Sequence, residues 1–344
     1  MKAVVFHQHG GPEELIYTDR PDPSFNAGQV LVEVKACALN HLDVWARKGL
    51  PGIHIPLPHI LGNDIAGVVR SVGELVTWVK PGDEVMLHPG VSCGHCIECL
   101  AGRDNLCREY TILGYLRDGG YAELVAAPGV NVIPKPNNLS WEEAAALPLV
   151  TVTAWHMLVT RANLQPGEDV LVHAAGSGVG SIGIQIAKLR GARVIATASS
   201  DDKLAKAKEL GADDILNYSN AEWPREVRRL TSKKGVDVVF EHTGAATWPG
   251  SIASLKTNGR LVTCGATSGY EAQTDLRQVF YRHVSILGSF MGSKAELLEA
   301  MKFIETGKIK AIVDQVLPLA EARRAHELME DRAQFGKIIL RVGR

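Results

Sequence analysis

Hydrophobic positions divide the chain into two stretches of different rhythm. Over the first 135 residues, short apolar-rich runs such as "QVLVEVKA" (29 to 36) and "DIAGVVRSVG" (64 to 73) alternate with Gly and Pro turn signals, a pattern that predicts an irregular, mostly β domain. From "PKPNNLS" onward the rhythm changes. Ser140 and Glu143 have the spacing of a capping box that opens a helix, and strands then alternate with helices. The apolar runs "DVLVHA" (169 to 174), "ARVIATA" (192 to 198), "DDILNY" (213 to 218), "VDVVFEH" (236 to 242), "GRLVTCG" (259 to 265) and "VSILGSF" (284 to 290) have the length and composition of buried strands. Between them "SIGIQIAKLRG" sets Ile182, Ile186 and Leu189 on one helical face, and "SSDDKLAKAKELG" runs from a serine cap to Gly211. Six such strands with helical crossovers predict an α/β fold with a doubly wound parallel sheet. Ser293 and Glu296 then cap a helix with Leu297, Met301 and Ile304 facing inward, and "GKIILRV" ends the chain as a strand.

Composition narrows the function classes. With 344 residues, 46% hydrophobic and 22% charged, the chain can bury about two cores. A net charge of -1 and no Lys/Arg run of five or more exclude the electrostatic footprint of a nucleic-acid binder, leaving a small-molecule substrate as the expected partner. No segment approaches a membrane span, and the N-terminal apolar run is too short for a signal peptide, so a cytoplasmic protein with reduced cysteines is expected.

Two motifs carry chemistry. In "VLVHAAGSGVGSIGIQIAK" a strand runs through glycines into a helix, the context in which a G-x-G-x-x-G (Gly178, Gly180, Gly183) binds a dinucleotide. Glycines let the backbone approach a pyrophosphate, and the helix N-terminus supplies unpaired N-H groups. The turn itself is expected over Ala175 to Gly180, with Ser177, Gly178, Val179 and Gly180 against the phosphates. The alternative is a tight strand-to-helix turn that binds nothing. The next strand ends at Ala198, followed by Ser199 and Ser200, where an acid would grip the ribose hydroxyls of NAD. With Lys203 close behind and Tyr218 ending the following strand, the place suits a 2'-phosphate, so NADP(H) is preferred over NAD(H). Asp201 keeps the NAD alternative open.

The second motif is "VSCGHCIECLAGRDNLC". Cys93, Cys96, Cys99 and Cys107 form C-x2-C-x2-C-x7-C, four thiolates with no position left for water or substrate. That is the donor set of one closed structural zinc per chain. An iron-sulfur cluster is the competitor, although the bacterial run ends C-x3-C-P and this one does not. His95 is expected to face solvent.

An irregular β domain, a four-cysteine lobe, a doubly wound unit and a short C-terminal return together resemble the zinc-containing alcohol dehydrogenases of the medium-chain dehydrogenase/reductase superfamily. The resemblance covers nearly the whole chain. It implies a GroES-like catalytic domain from residues 1-147 and 291-344, a Rossmann domain from 148-290, an active site in the cleft between them, and a homodimer or homotetramer. It also implies a catalytic zinc, and here the sequence departs. Matching the segments places Asn40 at the first ligand position with Asp43 kept, reads the Gly-His-Glu motif as Gly62-Asn63-Asp64, and sets the third ligand near Leu149. An amide and a leucine hold zinc poorly. A substitute set from Cys37, His41, His59 and Asp64 is the alternative, with no spacing to support it.

Loss of that zinc resembles the quinone, enone and crotonyl-CoA-type reductase branches, and so do "VFEHTG" and "CGATSGYEAQTDLRQVFYRHVSILGS". By the same matching His41 faces the pyrophosphate, Thr153 the nicotinamide, and the backbone of Cys264, Gly265 and Ala266 the carboxamide, with Ser289 and Phe290 nearby. Asn40 is expected to line the reacting site, with Asn63 and Asp64 beside or behind it; the alternative is that all three are turn residues. The resulting expectation is reduction of an activated C=C or quinone without catalytic zinc. Its alternatives are an alcohol or aldehyde dehydrogenase with an atypical metal set, and a non-catalytic NADPH-binding protein.

Overall fold

A computed structural model describes residues 1 to 343 as two compact units. The first comprises Met1–Leu149, Ser293–Leu298 and the chain from Ala311 on; the second comprises Val150–Gly292 and Glu299–Lys310. The resemblance implies boundaries near 147 and 291; the second unit here begins at Val150, ends its main segment at Gly292 and also takes residues 299 to 310.

The first unit is built on a seven-stranded sheet. The long strand Gln29–Ala38 is central, paired antiparallel to Asp64–Val72, to Leu124–Pro128 and, through Ala38 to Ala36, to the C-terminal strand Lys337–Arg341. Its alternation of Val30, Val32 and Val34 against Glu33 and Lys35 is the two-residue period that sends one face into the core. That core gathers Phe6, Leu39, Leu61, Ile65 and Tyr121, all fully buried. Burial of side chains of this size contributes roughly 1.5 to 3 kcal/mol each.

The second unit holds the predicted parallel sheet. Its six strands run in the spatial order Asp214–Asn217, Arg193–Ala198, Asp169–Val172, Val236–Glu241, Leu255–Thr263, Ser285–Gly288. All its pairings are parallel. Chain order reverses between Asp169–Val172 and Val236–Glu241, the switch point where α/β sheets take ligands at the carboxyl ends of their strands. Leu171, Ile195, Val239 and Leu261 fill the core of this sheet. Predicted caps are present too: Ser140 accepts from the N-H of Glu143, and the Ser293 N-H donates to Glu296. Leu297, Met301 and Ile304 are buried, as the helical period requires.

Candidate active site and metal lobe

The glycine turn is tighter than the sequence suggests. The helix starts at Gly178, so the turn spans Ala174 to Ser177, and Gly178, Val179 and Gly180 form the helix's first turn. Ser177 caps it, its Oγ accepting from the Gly180 N-H at 2.8 Å. A Cβ on Gly180 would stand 2.3 Å from the carbonyl oxygen of Ala174, so only glycine fits beneath the turn. Gly183 lies against the Phe240 ring, closing helix onto sheet. The N-H groups of this first turn are the donors a pyrophosphate needs.

At the end of the neighbouring strand Ala198 is buried and Ser199 exposed. Ser200 caps the helix Asp201–Glu209, accepting from the Lys203 N-H, which leaves Asp201 exposed in the first helical turn rather than at the strand end. Tyr218 donates its N-H to the Ala198 carbonyl, so Ser199 and Tyr218 sit at adjacent strand ends. No carboxylate ends the strand Arg193–Ala198.

Further along the same sheet edge, Cys264, Gly265 and Ala266 follow the strand Leu255–Thr263, and Ser289 and Phe290 follow Ser285–Gly288. The Ser289 N-H donates to Thr263 O at 2.8 Å, which holds the two loops together, and the Ser289 hydroxyl is buried without a protein partner. The residues Cys264, Gly265 and Ala266 beside this orphaned hydroxyl are half-buried. Burial raises the Cys264 thiol to about 12, so it is no nucleophile. Thr153 is buried, its hydroxyl 4.0 Å from the Met291 sulfur.

In the first unit, three neighbouring strand ends meet. Asn40 follows the central strand, Asp64 starts one neighbour and Lys337 starts the other; extending the pairing of Ile339 with Ala38 sets Lys337 opposite Asn40. Lys337 Nζ donates to Asn40 Oδ1 at 2.6 Å and to Asp64 Oδ2 at 3.0 Å, and Asn40 Nδ2 donates to Asp64 Oδ2 at 2.9 Å. Asp64 Oδ1 accepts the Leu149 N-H at 2.7 Å. The Lys337 side chain is 4% exposed and that of Asp64 0%, so each charge depends on the other. Asp43 braces the cluster, its carboxylate accepting from the N-H groups of Asn40 (2.7 Å) and Gly62 (3.0 Å); burial nevertheless raises its pKa to about 7. Gly62 is confined to glycine by φ 103° and by Tyr121 and Cys37, which leave no room for a Cβ.

Asn40 and Asp64 are thus brought together, whereas Asn63 turns its amide N-H to the Leu113 carbonyl at 2.7 Å and leaves Oδ1 buried and unpartnered. Sequence patterning does not single out Lys337. Its one signal is a lysine heading an otherwise apolar run, "KIIL". His41 begins the helix His41–Lys48 with its ring 5.3 Å from that of Trp45, and burial lowers its pKa.

This donor set does not fit a catalytic zinc. The matched positions offer an amide, a second amide and a leucine, and an ammonium already neutralises the adjacent carboxylate. Among the described residues, the only groups of three or more His, Cys, Asp or Glu ligand atoms within 4.8 Å of one another contain Cys93, so Cys37, His41, His59 and Asp64 do not form one.

The four cysteines do converge. The strands Gly90–Val91 and Thr111–Ile112 pair at the base of the lobe, and the ligand sulfurs of Cys93, Cys96, Cys99 and Cys107 all lie within 4.8 Å of one another. Cys93 and Cys99 are 3.9 Å apart and Cys96 and Cys99 3.5 Å. Zinc-sulfur bonds near 2.3 Å imply tetrahedral edges of roughly 3.8 Å, so the donor set fits zinc. Hydrogen bonds from the N-H groups of His95 and Cys96 bring the Cys93 thiol down to about 7, whereas the Cys96 thiol is raised to about 11. His95 is exposed, and its ring Nδ1 pairs with the Cys93 carbonyl.

Comparison with known proteins gives the family. Residues 26–137 match the family "Alcohol dehydrogenase GroES-like domain" and residues 178–306 the family "Zinc-binding dehydrogenase". The chain belongs to the zinc-type alcohol dehydrogenase family of medium-chain dehydrogenases/reductases. It is 35% identical to an alcohol dehydrogenase of Geobacillus stearothermophilus over 99% of this chain and 100% of that one. It is 31% identical to a crotonyl-CoA carboxylase/reductase of Cereibacter sphaeroides, over 95% and 83%. A crystal structure of an NAD-dependent alcohol dehydrogenase superposes with a TM-score of 0.97 at 55% identity, over all of both chains. The protein is therefore an NAD(P)-dependent oxidoreductase, which removes the non-catalytic nucleotide binder from the alternatives. No helix among the described residues is long and apolar enough to cross a membrane.

Proposed function

We propose that this enzyme reduces an activated C=C bond or a quinone with NADPH and without a catalytic zinc, while one structural zinc sits on Cys93, Cys96, Cys99 and Cys107. The observation that carries the reading is the cluster of Asn40, Asp64 and Lys337, beside Asn63 and Leu149 at the remaining ligand positions. Without a Lewis acid nothing holds an alkoxide, so a simple alcohol is a poor hydride donor. An enone, quinone or enoyl thioester needs only hydrogen-bond donors for its developing enolate.

Bound NADPH supplies the hydride to the electrophilic carbon. The first turn of the helix Gly178–Leu189 holds its pyrophosphate, and His41 is a further pyrophosphate residue by family matching. Ser199, Lys203 and Tyr218 receive the 2'-phosphate, and Thr153, Cys264, Gly265, Ala266, Ser289 and Phe290 surround the nicotinamide. Asn40 donates its free amide N-H to the substrate oxygen, with Asp64 holding that amide and Asn63 beside it. Water supplies the balancing proton, to the α-carbon of an enone or enoyl thioester and to oxygen for a quinone. The enzyme works as a homodimer or homotetramer in the cytoplasm.

A second reading, an alcohol dehydrogenase using NAD, draws on the 55% identical NAD-dependent alcohol dehydrogenase and on the archaeal relatives of the same name. Zinc content per chain, measured with an oxidation screen of NADPH and NADH over enones, quinones, enoyl thioesters and aldehydes, separates the two. One zinc and NADPH-driven reduction of an enone or quinone is expected. Two zincs with chelator-sensitive alcohol oxidation overturns the first reading.

A further inference from the structure

Among Asn40, Asp64 and Lys337 at the three strand ends, Lys337 is the one given no part in the reaction described above. An ammonium can only donate hydrogen bonds and a carboxylate only accepts them. Asn40 lies between one of each: its Oδ1 is 2.6 Å from Lys337 Nζ, and its Nδ2 is 2.9 Å from Asp64 Oδ2. Rotating the carboxamide by half a turn would point its NH2 at the ammonium and its carbonyl at the carboxylate, and both contacts would be repulsive. The amide therefore has one orientation, chosen by chemistry. Its backbone is also held, because the Asn40 N-H is bound by Asp43. One Nδ2 hydrogen goes to Asp64, which leaves the other as a donor of fixed direction on a residue that is 7% exposed.

We propose that Lys337 is a positioning residue: its ammonium fixes the Asn40 carboxamide so that the free N-H is offered to the substrate oxygen as negative charge develops there. The inference rests on Asn40 being that donor. Lys337 acts through Asn40, by removing the rotamer freedom that a lone asparagine would have to lose in the transition state. Asp64 completes the pair by fixing the nitrogen side, while its own second oxygen is held by the Leu149 N-H.

The test compares the zinc-loaded enzyme with Asn40→Ala, Lys337→Met, Lys337→Arg and the Asn40→Ala/Lys337→Met double variant in steady-state reduction of a reactive enone by NADPH. Asn40→Ala is expected to lower kcat about 100-fold, the size of one lost oxyanion donor. Lys337→Met is expected to lower kcat by about tenfold or more with KM for NADPH changed less than about threefold, and Lys337→Arg to recover most of the loss. The double variant should be no slower than Asn40→Ala, because Lys337 has nothing left to position. Losses that multiply, or a Lys337→Met enzyme with unchanged kcat, overturn the proposal. Where Lys337→Met does not fold, because Asp64 is left as an unpaired buried charge, Asp64→Asn/Lys337→Met removes both charges and is compared with Asp64→Asn alone: a further kcat loss of about tenfold is expected, and equal kcat overturns the proposal. An arm independent of turnover uses 15N-asparagine labelling, with the Asn40 side-chain amide assigned by its disappearance in Asn40→Asp. Its two protons should be shifted from free-amide positions and slow to exchange with water in the parent, and should move toward free-amide positions with faster exchange in Lys337→Met; an unchanged pair overturns the proposal. If the parent reduces no acceptor, the functional reading falls, and this amide signal still decides whether Lys337 orients Asn40.

Discussion

The backbone N-H of Leu149 donates to Asp64 Oδ1 at 2.7 Å, a bond that ties the third ligand position of zinc dehydrogenases to the carboxylate beside the second. The bond is made by backbone, so it survives a change of side chain at 149. It keeps the backbone of 149 beside Asp64 whatever side chain stands there. The triple variant Asn40→Cys/Asn63→His/Leu149→Cys is expected to bind a second zinc, raising the content from one to two per chain by elemental analysis. A triple variant that folds and still carries one zinc would show that restoring the three donor side chains is not enough.

Lys337 and Asp64 are a buried ion pair, and removing one partner leaves the other charged and dry. Asp64→Ala is expected to cost about 3 to 5 kcal/mol of stability, read as a shift of the urea midpoint. Asp64→Leu/Lys337→Met, which removes both charges, is expected to cost much less than Asp64→Ala. If both variants lose stability equally, the pair is held by packing and not by charge.

The two units differ in how far their sequences announce them. The six parallel strands and their crossovers are legible because each is a local apolar run with a local stop signal, such as Gly211 or the Ser200 cap. The cysteine lobe is legible because its ligands fall within fifteen residues of one another. Asn40 and Asp64 can be placed only by matching segments. Lys337 escapes because it stands 297 residues from Asn40, and their contact is created by the antiparallel register of the last strand against the central one. No periodicity in "GKIILRV" reports which strand it will pair with. The glycine turn is misplaced from sequence for a different reason: Ala174 takes φ 44°, a left-handed conformation that nothing in its side chain announces.

The strand that ends at Ala198 presents Ser199 where an acid would select NAD, and Ser200 is spent on capping the next helix. Ser199→Asp is therefore expected to raise KM for NADPH by about tenfold or more while leaving KM for NADH unchanged or lower, since a carboxylate repels the 2'-phosphate and accepts from a 2'-hydroxyl. Lys203→Ala should weaken NADPH alone. Equal effects of Ser199→Asp on both cofactors would remove this strand end from cofactor choice.

Gly180 tests the turn itself. A methyl group there would stand 2.3 Å from the Ala174 carbonyl oxygen, so Gly180→Ala must move backbone, and backbone at a helix N-terminus is what faces the pyrophosphate. Cofactor affinity by fluorescence titration should fall about tenfold or more for both NADPH and NADH, in contrast to the selective effect of Ser199→Asp. An alanine variant that binds both cofactors normally would place the pyrophosphate elsewhere.

His326 sets a pH limit on the first unit. It is fully buried against Tyr121, whose hydroxyl lies 3.1 Å from its Nε2, and burial, with Arg47 nearby, lowers its pKa to about 3. In the unfolded chain a histidine titrates near 6.5. Between these values the unfolded state holds a proton that the folded state does not, so stability is complete above about pH 6.5 and falls as the pH drops toward 3. The loss approaches about 1.4 kcal/mol per pH unit for this one group. His88, buried and lowered to about 4, adds a second contribution of the same sign. His326→Phe keeps a ring against Tyr121 but cannot titrate. Its stability deficit relative to the parent, measured by urea unfolding, should therefore shrink by about 2 kcal/mol between pH 7 and pH 5. A deficit that is the same at both pH values would mean that His326 is protonated in the folded protein or that acid unfolding is controlled elsewhere.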